Sequence, residues 1–352
     1  MNKTSLLCIA FLTLICSANA AVLRINPNGS APYATITDAY DAAASGDTIV
    51  IAPGTYLENI VSTKRLRVIG AGWDNTRIRN WYFQNASTGS SLEGVKVSTT
   101  GTVAPLVSYN SDSVTIKRCY LQSNYQTYFW ARSSGSGNWI TFEDCVMISN
   151  QNSGSNDGFN FNQDSCVIRN CYVQGWQGSS TNQNVFINDP AFLSVTNCVF
   201  TNWSQLLNTT GTYGFYFANN IVYDWNNGAT FGTYSPTATF EYNASSVITP
   251  PGTDAALLTM NPFTNYDETA NFQDDTTDLH LTPQSGLVDA GVPSLLDRDA
   301  SRSDLGVYGG PYEFVDNGAP DYPFVISVVA PSAIISGDSL TINTIGRVGP
   351  RY

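Results

Sequence analysis

Residues 193–201, with the sequence LSVTNCVFT, carry the pattern that decides the fold of this chain. Apolar and polar residues alternate, then an asparagine precedes a cysteine and two further apolar residues. The pattern recurs at residues 113–121, 139–147 and 166–174, with cysteines spaced by 26, 26 and 27 residues. A fifth copy at residues 215–223 has asparagine in place of the cysteine. Such a repeat indicates one supersecondary unit stacked on itself, because no unit can bury its apolar face alone.

Alignment of the copies on the cysteine separates an apolar face from a polar one. Side chains along a strand point alternately to opposite faces, so positions of equal parity share a face. The columns five and three residues before the cysteine are apolar: Val114, Ile140, Cys166, Leu193 and Phe215, then Ile116, Phe142, Ile168, Val195 and Phe217. The positions between them are mostly polar. The apolar columns are therefore predicted to point into a core.

The residue before each cysteine is predicted to form a corner between two strands. These residues are Arg118, Asp144, Asn170, Asn197 and Asn219. Asparagine and aspartate tolerate the left-handed backbone conformation that a one-residue corner needs. After the corner the alternation restarts, so the cysteine and the second residue after it point inward. Strand, corner and strand, repeated about every 25 residues, describe a parallel β-helix whose coils stack at roughly 4.8 Å.

From about residue 31 to residue 314, the chain resembles the right-handed parallel β-helix proteins of the pectin lyase-like superfamily. The resemblance implies an all-β, single-stranded solenoid with an N-terminal capping helix and a short C-terminal β tail. We expect a signal peptide at residues 1–20, the β-helix at 21–314, and a linker with the tail at 315–352. The superfamily contains lyases, hydrolases, esterases and non-enzymatic surface proteins, so the fold leaves the function open.

The first twenty residues are predicted to be a secretory signal peptide. Lys3 supplies a positive charge, residues 6–15 form an apolar run, and Ala18-Asn19-Ala20 is a small-residue cleavage site. No later segment approaches the 18 apolar residues that a membrane span needs. We therefore expect an exported protein, located outside the cell or on its surface.

Composition limits the partners of the chain. Charged residues make up 12% of the sequence and the formal net charge is -12, which argues against nucleic acid and anionic membranes. Removal of the leader leaves five cysteines. Disulfides between neighbouring coils are conceivable, but small buried thiols filling a narrow column are the favoured interpretation. A cysteine metal site is disfavoured, because the chain has a single histidine, His280.

Residues 34–60 are predicted to begin with a short helix, capped at Thr37 or Asp38 and ended by Gly46, that covers the open end of the solenoid. Residues 46–49 and 53–58 resemble the start of pectinesterases, with Gly-Asp-Thr-Ile and Pro-Gly-Thr-Tyr phrases followed by a glutamate. The glutamine and aspartate motifs of that family, and its late arginine beside tryptophan, are absent from the sequence. The segment therefore indicates a cap and not an esterase.

Aromatic residues supply the first candidates for carbohydrate contact. Trp81 lies in an aromatic cluster with Tyr82 and Phe83, and Trp130 lies in a segment expected to form the third strand of a coil. Indole rings stack on sugar rings, although aromatic residues of a solenoid also fill its core. Trp81 and Trp130 are therefore interpreted as binding candidates, with core packing as the alternative.

A polar strip supplies the candidates for catalysis. Residues 128–132, 158–162 and 185–188 are expected to be consecutive rungs of a third strand. Residues 155–164 resemble an Asn-Asp-Gly phrase of polygalacturonases but lack that family's Asp-Asp, Gly-His-Gly and Arg-Ile-Lys motifs. An oxygen-rich strip suited to Ca²⁺ would comprise Asp157, Asp164, Asp189, Asn160, Asn162 and Asn188, with Arg132 as the nearest base candidate. The alternative interpretation is that these residues form turns.

Residues 278–291 and 297–310 closely resemble the closing segment of secreted bacterial β-helix proteins, which implies a structural role for His280. Asp297, Asp299 and Asp304 have a spacing that suggests a Ca²⁺ loop, but a glycine at the sharp turn and a distal glutamate are missing. Beyond residue 315, two short strands are expected at 324–330 and 339–344.

The leading functional hypothesis is a secreted, carbohydrate-associated β-helix protein without recognisable catalytic motifs. The first alternative is a polysaccharide lyase or glycoside hydrolase that acts on acidic polymers. The second alternative is a structural or adhesive spacer. The expected partner is a polysaccharide or cell-surface glycan, and the sequence requires no cofactor, with Ca²⁺ as the one candidate.

Overall fold

The computed structural model describes residues 20–99, 104–123, 129–134, 139–149, 156–160, 165–176, 183–187, 190–209, 214–226, 229–273, 275–319, 323–329 and 339–347. Within these ranges no helix has the length and hydropathy to cross a bilayer. The signal-peptide prediction for residues 1–20 lies almost entirely outside the described residues.

Nearly all of the regular elements in the described residues are short strands. The first group comprises β1 (Val22–Ile25), α1 (Ile36–Ala42), β2 (Thr48–Ile51), β3 (Gly54–Ser62), β4 (Arg67–Ile69), β5 (Thr76–Gln84), β6 (Ser91–Glu93), β7 (Lys96–Ser98), β8 (Leu106–Tyr109), β9 (Val114–Lys117), β10 (Tyr120–Ser123), β11 (Trp130–Ser134), β12 (Trp139–Glu143), β13 (Val146–Ser149), β14 (Asn156–Asn160) and β15 (Ser165–Arg169). The second comprises β16 (Tyr172–Gln174), β17 (Gln183–Ile187), β18 (Phe192–Thr196), β19 (Val199–Thr201), β20 (Gln205–Thr209), β21 (Gly214–Ala218), β22 (Ile221–Tyr223), β23 (Thr230–Tyr234), β24 (Thr239–Glu241), β25 (Ala244–Ser245), β26 (Ala256–Leu257), β27 (Phe263–Asn265), β28 (Asp278–Leu281), β29 (Phe324–Val329) and β30 (Asn343–Arg347). Three 3₁₀ helices cover Asn85–Ser87, Pro283–Ser285 and Asp316–Gly318.

The strands form a parallel β-solenoid with three walls. Wall A contains ten strands, in the order β1-β2-β4-β6-β9-β12-β15-β18-β21-β24. Wall B continues each coil through β7, β10, β13, β16, β19, β22, β25 and β26, and wall C contains β8, β11, β14, β17, β20 and β23. Strands β3 and β5 run through both B and C, because their first residues pair along wall B and their last residues along wall C. The stacked coils predicted from the repeat are confirmed.

The register of the strands aligns the five sequence copies position by position. Ile140 pairs with Val114 and with Cys166, and Cys166 pairs with Leu193. Both predicted apolar columns are fully buried or nearly so. All five predicted corner residues have a left-handed backbone, with φ between 50° and 57°, and Gly94 continues the column one coil earlier with φ 65°.

The cysteine column is a stack of free thiols inside the solenoid. Cys119, Cys145, Cys171 and Cys198 are buried and unbridged, as is Cys166 in the neighbouring column. Burial raises the pKa of the Cys119, Cys145, Cys166 and Cys171 thiols well above the ordinary value. The interpretation as buried thiols, and not as disulfides, is therefore confirmed for the described residues.

The first coil begins earlier than the sequence indicated. Strand β1 precedes the helix that was predicted to cover the open end, and it pairs in parallel with β2. The helix is Ile36–Ala42 and its N-cap is Thr35, whose side chain accepts a hydrogen bond from the Asp38 backbone. The cap expected at Thr37 or Asp38 is therefore wrong by two residues or more. Ile36 and Ala39 are fully buried in the core that the solenoid encloses.

A segment that we name the strap, residues 258–273 and 275–319, leaves the last coil and covers the outer face of wall B. That face is apolar because the residue after each cysteine position points outward: Tyr120, Val146, Tyr172, Val199 and Ile221. They share a buried cluster with strap residues Leu258, Phe263, Tyr266, Phe272, Leu279, Leu287, Leu305, Val307 and Phe314. The strap reaches back to the first coils, where the backbone nitrogen of Trp73 donates a hydrogen bond to the Asn317 carbonyl at 3.0 Å.

The corner residues also fasten the strap. Asn170 Nδ2 donates to the carbonyls of Val307 at 2.8 Å and Gly309 at 2.7 Å. Asn197 Nδ2 donates to the Asp304 carbonyl at 2.9 Å, and Arg118 bonds in the same way to a carbonyl near the end of the strap. The corner column therefore serves both the backbone turn and the attachment of the strap.

Replacement of Asn170 by alanine is expected to destabilise the protein by about 2–4 kcal/mol, since the left-handed backbone becomes strained and two strap carbonyls lose their donor. Asn170→Gly relieves the strain and should cost only about 1–2 kcal/mol. Denaturant unfolding followed by tryptophan fluorescence measures both. Asn208→Ala, at an exposed asparagine of β20, is the control. Equal stability of the Asn170→Ala variant and the parent would contradict this role.

The stack of buried thiols predicts how many cysteines react with a thiol reagent in the chain that begins at residue 21. Native protein should leave a chromogenic disulfide reagent unchanged, because every cysteine in this part of the chain is buried and free. In denaturant without reductant, all five thiols should react. Fewer than five reactive thiols after unfolding would reveal a disulfide and refute the stack of free cysteines.

Candidate functional site

The outer face of wall A is a flat, polar surface beside the strap. It carries two columns of side chains that point away from the core. The first is Thr115, Thr141, Val167, Ser194 and Tyr216, and the second is Glu93, Lys117, Glu143, Arg169, Thr196 and Ala218. Stacking of parallel strands in register brings like positions of neighbouring coils to about 4.8 Å from each other. Side chains of different coils therefore act together on this face.

Ion pairs run along the second column. Lys117 Nζ lies 2.5 Å from Glu143 Oε1, and Arg169 Nε donates to Glu143 Oε2 at 2.9 Å. Burial opposes ionisation of Glu143, but the hydrogen bonds and charges of Lys117 and Arg169 outweigh it and hold its pKa below the ordinary value. Glu143 is therefore an ionised carboxylate at neutral pH and not a proton donor.

A groove with a volume of about 280 Å³ lies where wall A meets the strap. We name it the seam groove. Its lining combines arginine, hydroxyl, amide and aromatic side chains: Arg169, Asn170, Thr196, Asn197, Tyr216, Ala218, Asn219, Val292, Ser294, Leu295, Pro311 and Tyr312. Binding pockets for small ligands typically combine an apolar or aromatic lining with a few convergent polar groups.

Two tyrosines give the seam groove its aromatic character. Tyr312 of the strap is 47% exposed, and the guanidinium carbon of Arg169 lies 3.9 Å from the centre of its ring. Tyr216 of wall A donates a hydrogen bond to Glu241 through its hydroxyl group. Burial of Tyr216 raises the pKa of its phenol, and the hydrogen bond to Glu241 raises it further. The neighbouring Arg169 and Glu241 thus hold the two phenol rings in place.

The described lining of the seam groove consists mainly of hydrogen-bonding and aromatic side chains. Arg169 is the one charged residue of its described lining, and Glu143 accepts a hydrogen bond from it. Its described lining contains no carboxylate or histidine that could exchange a proton with a substrate. Hydroxyl, amide and phenol groups can hydrogen-bond to sugar hydroxyls, and tyrosine rings can pack against sugar rings.

A larger cavity, of about 630 Å³, lies over the first coils of wall A. Its lining is largely aliphatic, with Arg24 and Arg67 among the polar members, and includes Pro323 and Val325 beyond the strap. Because few polar groups converge there, we regard the seam groove as the better candidate.

The three strands expected to carry the polar strip are consecutive in wall C, as predicted. Strand β11 contains Trp130 and Arg132, and β14 contains Asp157 and Asn160. Trp130 pairs with Phe159. Arg132 follows this paired position on β11, whereas Asp157 precedes it on β14. The two residues are therefore offset by about four residues, or roughly 13 Å, along the strand direction. The register does not bring this predicted acid and base together.

Other members of the predicted strip lie outside the described residues: Asp164, Asp189, Asn162 and Asn188. Asn160 is partly buried and lies opposite Ile187 of β17. The strip therefore stays a prediction.

Trp81, a predicted sugar-binding residue, lies in the core. It is 1% exposed and packs near Phe83, with ring centres 6.5 Å apart. The indole therefore presents no face to a ligand, and the core-packing alternative describes it. Burial follows from the path of β5, whose second half pairs along wall C and turns this ring inward.

The predicted Ca²⁺ loop is held together by its own backbone. Asp297 accepts from the Asp304 nitrogen at 3.0 Å, Asp299 accepts from Ser301, and Asp304 accepts from the Asp289 nitrogen at 2.7 Å. In the described part of the chain, no group of three histidine, cysteine or acidic side chains is arranged to hold a metal ion. The three aspartates act as turn acceptors, and Ca²⁺ stays an untested expectation.

The seam groove was missed by sequence reasoning, although a signal for it existed. The residue after each cysteine is apolar in every copy but points outward, which requires a covering segment. That signal predicts a strap over wall B, and hence a seam. It does not predict which wall A residues line the seam.

No family model matches the chain, and no curated protein matches it. Among solved structures, the chain is similar to pectin methylesterase PemA from Erwinia chrysanthemi, with 15% identity, a TM-score of 0.35, and 76% of this chain and 86% of that one covered. It is also similar to a mutant pectin methylesterase in complex with hexasaccharide IV, with 12% identity, a TM-score of 0.28, and coverage of 67% and 73%. The strand register shows a parallel β-solenoid in this chain without reference to these structures.

Replacement of Glu143 by glutamine should destabilise the protein at pH 7 by about 1–3 kcal/mol, because two cations lose a charged acceptor. The pKa of Glu143 is lower in the folded than in the unfolded protein. Its stabilising effect is therefore fully present above the unfolded value and is lost as the pH falls through the folded one. Unfolding of parent and variant at pH 7, 5 and 3 measures the difference, which should shrink at pH 3. A pH-independent difference would contradict this assignment.

Proposed function

We propose that this chain is an exported polysaccharide-binding β-helix protein that holds a glycan in the seam groove. The observation that supports the proposal is the groove itself, where Tyr216 and Tyr312 lie beside hydroxyl and amide side chains on a rigid scaffold. Tyrosine supplies both an apolar ring and a polar hydroxyl, which suits the alternating faces of a sugar. The pairing of Arg169 with Glu143 and Tyr312 holds one side of the groove in place.

The charges favour a neutral glycan over a polyanion. Local charges nearly cancel, and the whole chain has a formal net charge of -12, which repels anionic polymers at long range. Binding that depends on rings and hydroxyl groups should therefore change little with salt. Binding to a polyuronate would instead weaken as salt rises.

Export is part of the same proposal. The apolar run and the Ala18-Asn19-Ala20 site of the sequence support a cleaved leader, and a location outside the cell or on its surface follows. In this proposal the solenoid is right-handed, and α1 covers its N-terminal end.

Titration with neutral and uronate oligosaccharides, followed by calorimetry or affinity electrophoresis, tests the binding. We expect Tyr312→Ala to weaken binding about fivefold to thirtyfold, because stacking of an aromatic ring contributes roughly 1–2 kcal/mol. Tyr312→Phe keeps the ring and should retain most of the affinity. Leu57→Ala, which removes an exposed side chain on another part of the solenoid, is the control.

The alternatives give different results in the same experiments. Unchanged affinity in the Tyr312→Ala variant, or no binding to any glycan, would refute the seam groove and favour a spacer. Release of reducing ends or unsaturated products from pectate, alginate or galactans, abolished by Asp157→Ala, would establish the enzymatic alternative.

A further inference from the structure

The buried carboxylate of Asp47 accepts a hydrogen bond from the backbone nitrogen of Ala21. Asp47 is 8% exposed. Its Oδ1 accepts from the Ala21 nitrogen at 2.7 Å, and its Oδ2 accepts from the Ala44 nitrogen at 2.8 Å. Among the described residues, no lysine or arginine forms an ion pair with it. A buried carboxylate that has only neutral donors is incompletely compensated, and a cationic donor would stabilise it further.

Ala21 is also the residue that the leader motif would leave as the first of the processed chain. Ala18 and Ala20 are the small residues on the leader side of the Ala20–Ala21 bond. Ala20 and Ala21 are exposed and precede strand β1, which begins at Val22. A peptide bond in an exposed segment outside regular structure is accessible to a protease.

We propose that cleavage of the Ala20–Ala21 bond turns this contact into an ion pair, in which Asp47 binds the new α-ammonium group. Hydrolysis breaks the C–N bond and adds one water molecule, so that Ala20 gains a carboxylate and Ala21 gains a free amino group. A free α-amino group has a pKa of about 8 and carries a positive charge at neutral pH. The neutral N–H donor thus becomes a charged one, and hydrogen bonds of this kind are about twice as strong.

The ion pair fastens the edge of the solenoid. Strand β1 is the terminal strand of wall A and pairs only with β2 among the described strands. The Ala21 carbonyl accepts from the Thr48 nitrogen at 2.8 Å, so both backbone groups of Ala21 are bound by the loop and strand that begin at Asp47. Edge strands and chain termini are where a fold opens first. Processing therefore completes the first coil as well as releasing the leader.

A double-mutant cycle on the purified chain tests the ion pair. One form begins at Ala21, released by a fusion protease that leaves no extra residue, and the other carries Gly-Ser ahead of Ala21. Each form is made with and without Asp47→Asn. The extension should lower the melting temperature of the parent by about 2–4 °C and leave that of the Asp47→Asn protein unchanged. Asp41→Asn, at an exposed aspartate of α1, should preserve the full effect of the extension.

An extension effect that is absent from the parent, or equal with and without Asp47→Asn, would overturn the proposal. If Asp47→Asn does not fold, acetylation of the α-amino group in the form that begins at Ala21 removes the charge without any substitution. It should lower the melting temperature as the extension does, and an unchanged value would overturn the ion pair.

The position of the cut is read separately. Protein exported with its own leader should begin Ala-Val-Leu-Arg-Ile, and any other first residue would refute processing at this bond. The inference rests on the export part of the proposed function but not on glycan binding. A chain that binds no glycan can still show the ion pair, so the two failures are distinguishable.

Discussion

The corner between walls A and B imposes the constraint on which the rest of the structure depends. A left-handed residue there turns backbone groups into the solenoid, where water cannot satisfy them. In each case a side chain of the following coil accepts the hydrogen bond of the buried backbone N–H group. The Cys145 nitrogen donates to Cys171 Sγ at 3.4 Å, the Cys198 nitrogen to Asn220 Oδ1 at 2.9 Å, and the Asn220 nitrogen to Asn243 Oδ1 at 2.9 Å. Cysteine and asparagine thus share one column because both are small enough to fit and can accept a hydrogen bond.

The same corner explains why the strap lies where it does. The left-handed residues direct their side chains outward along one line, and three of them are asparagines that bond to the strap backbone. Beside that line, wall B exposes an apolar face that a free solenoid would leave in water. Hydrophobic burial and the amide ladder together hold the strap along the solenoid. The strap in turn supplies one side of the seam groove, so the candidate binding site is a by-product of covering wall B.

The charged column of wall A stabilises the solenoid and borders the seam groove. Glu143 lies between Lys117 and Arg169, and Arg169 also packs on Tyr312. A solenoid offers such columns readily, because each coil adds one side chain at a fixed spacing. Local charges that cancel leave shape, rings and hydroxyl groups to select a ligand, and the net charge of -12 makes the surroundings unfavourable for anionic polymers. This balance is the physical basis for proposing a neutral glycan as the ligand of the groove.

The amino-acid sequence by itself determined the solenoid, its inward columns, the left-handed corners and the free thiol stack. These features repeat in every coil, and the five copies report them together. Tertiary structure alone decided the burial of Trp81, the separation of Arg132 from Asp157 along wall C, and the meeting of Tyr216 with Tyr312. The physical reason is that periodicity fixes which face a strand residue occupies, whereas the path of a non-repeating segment depends on which distant apolar surface it can cover.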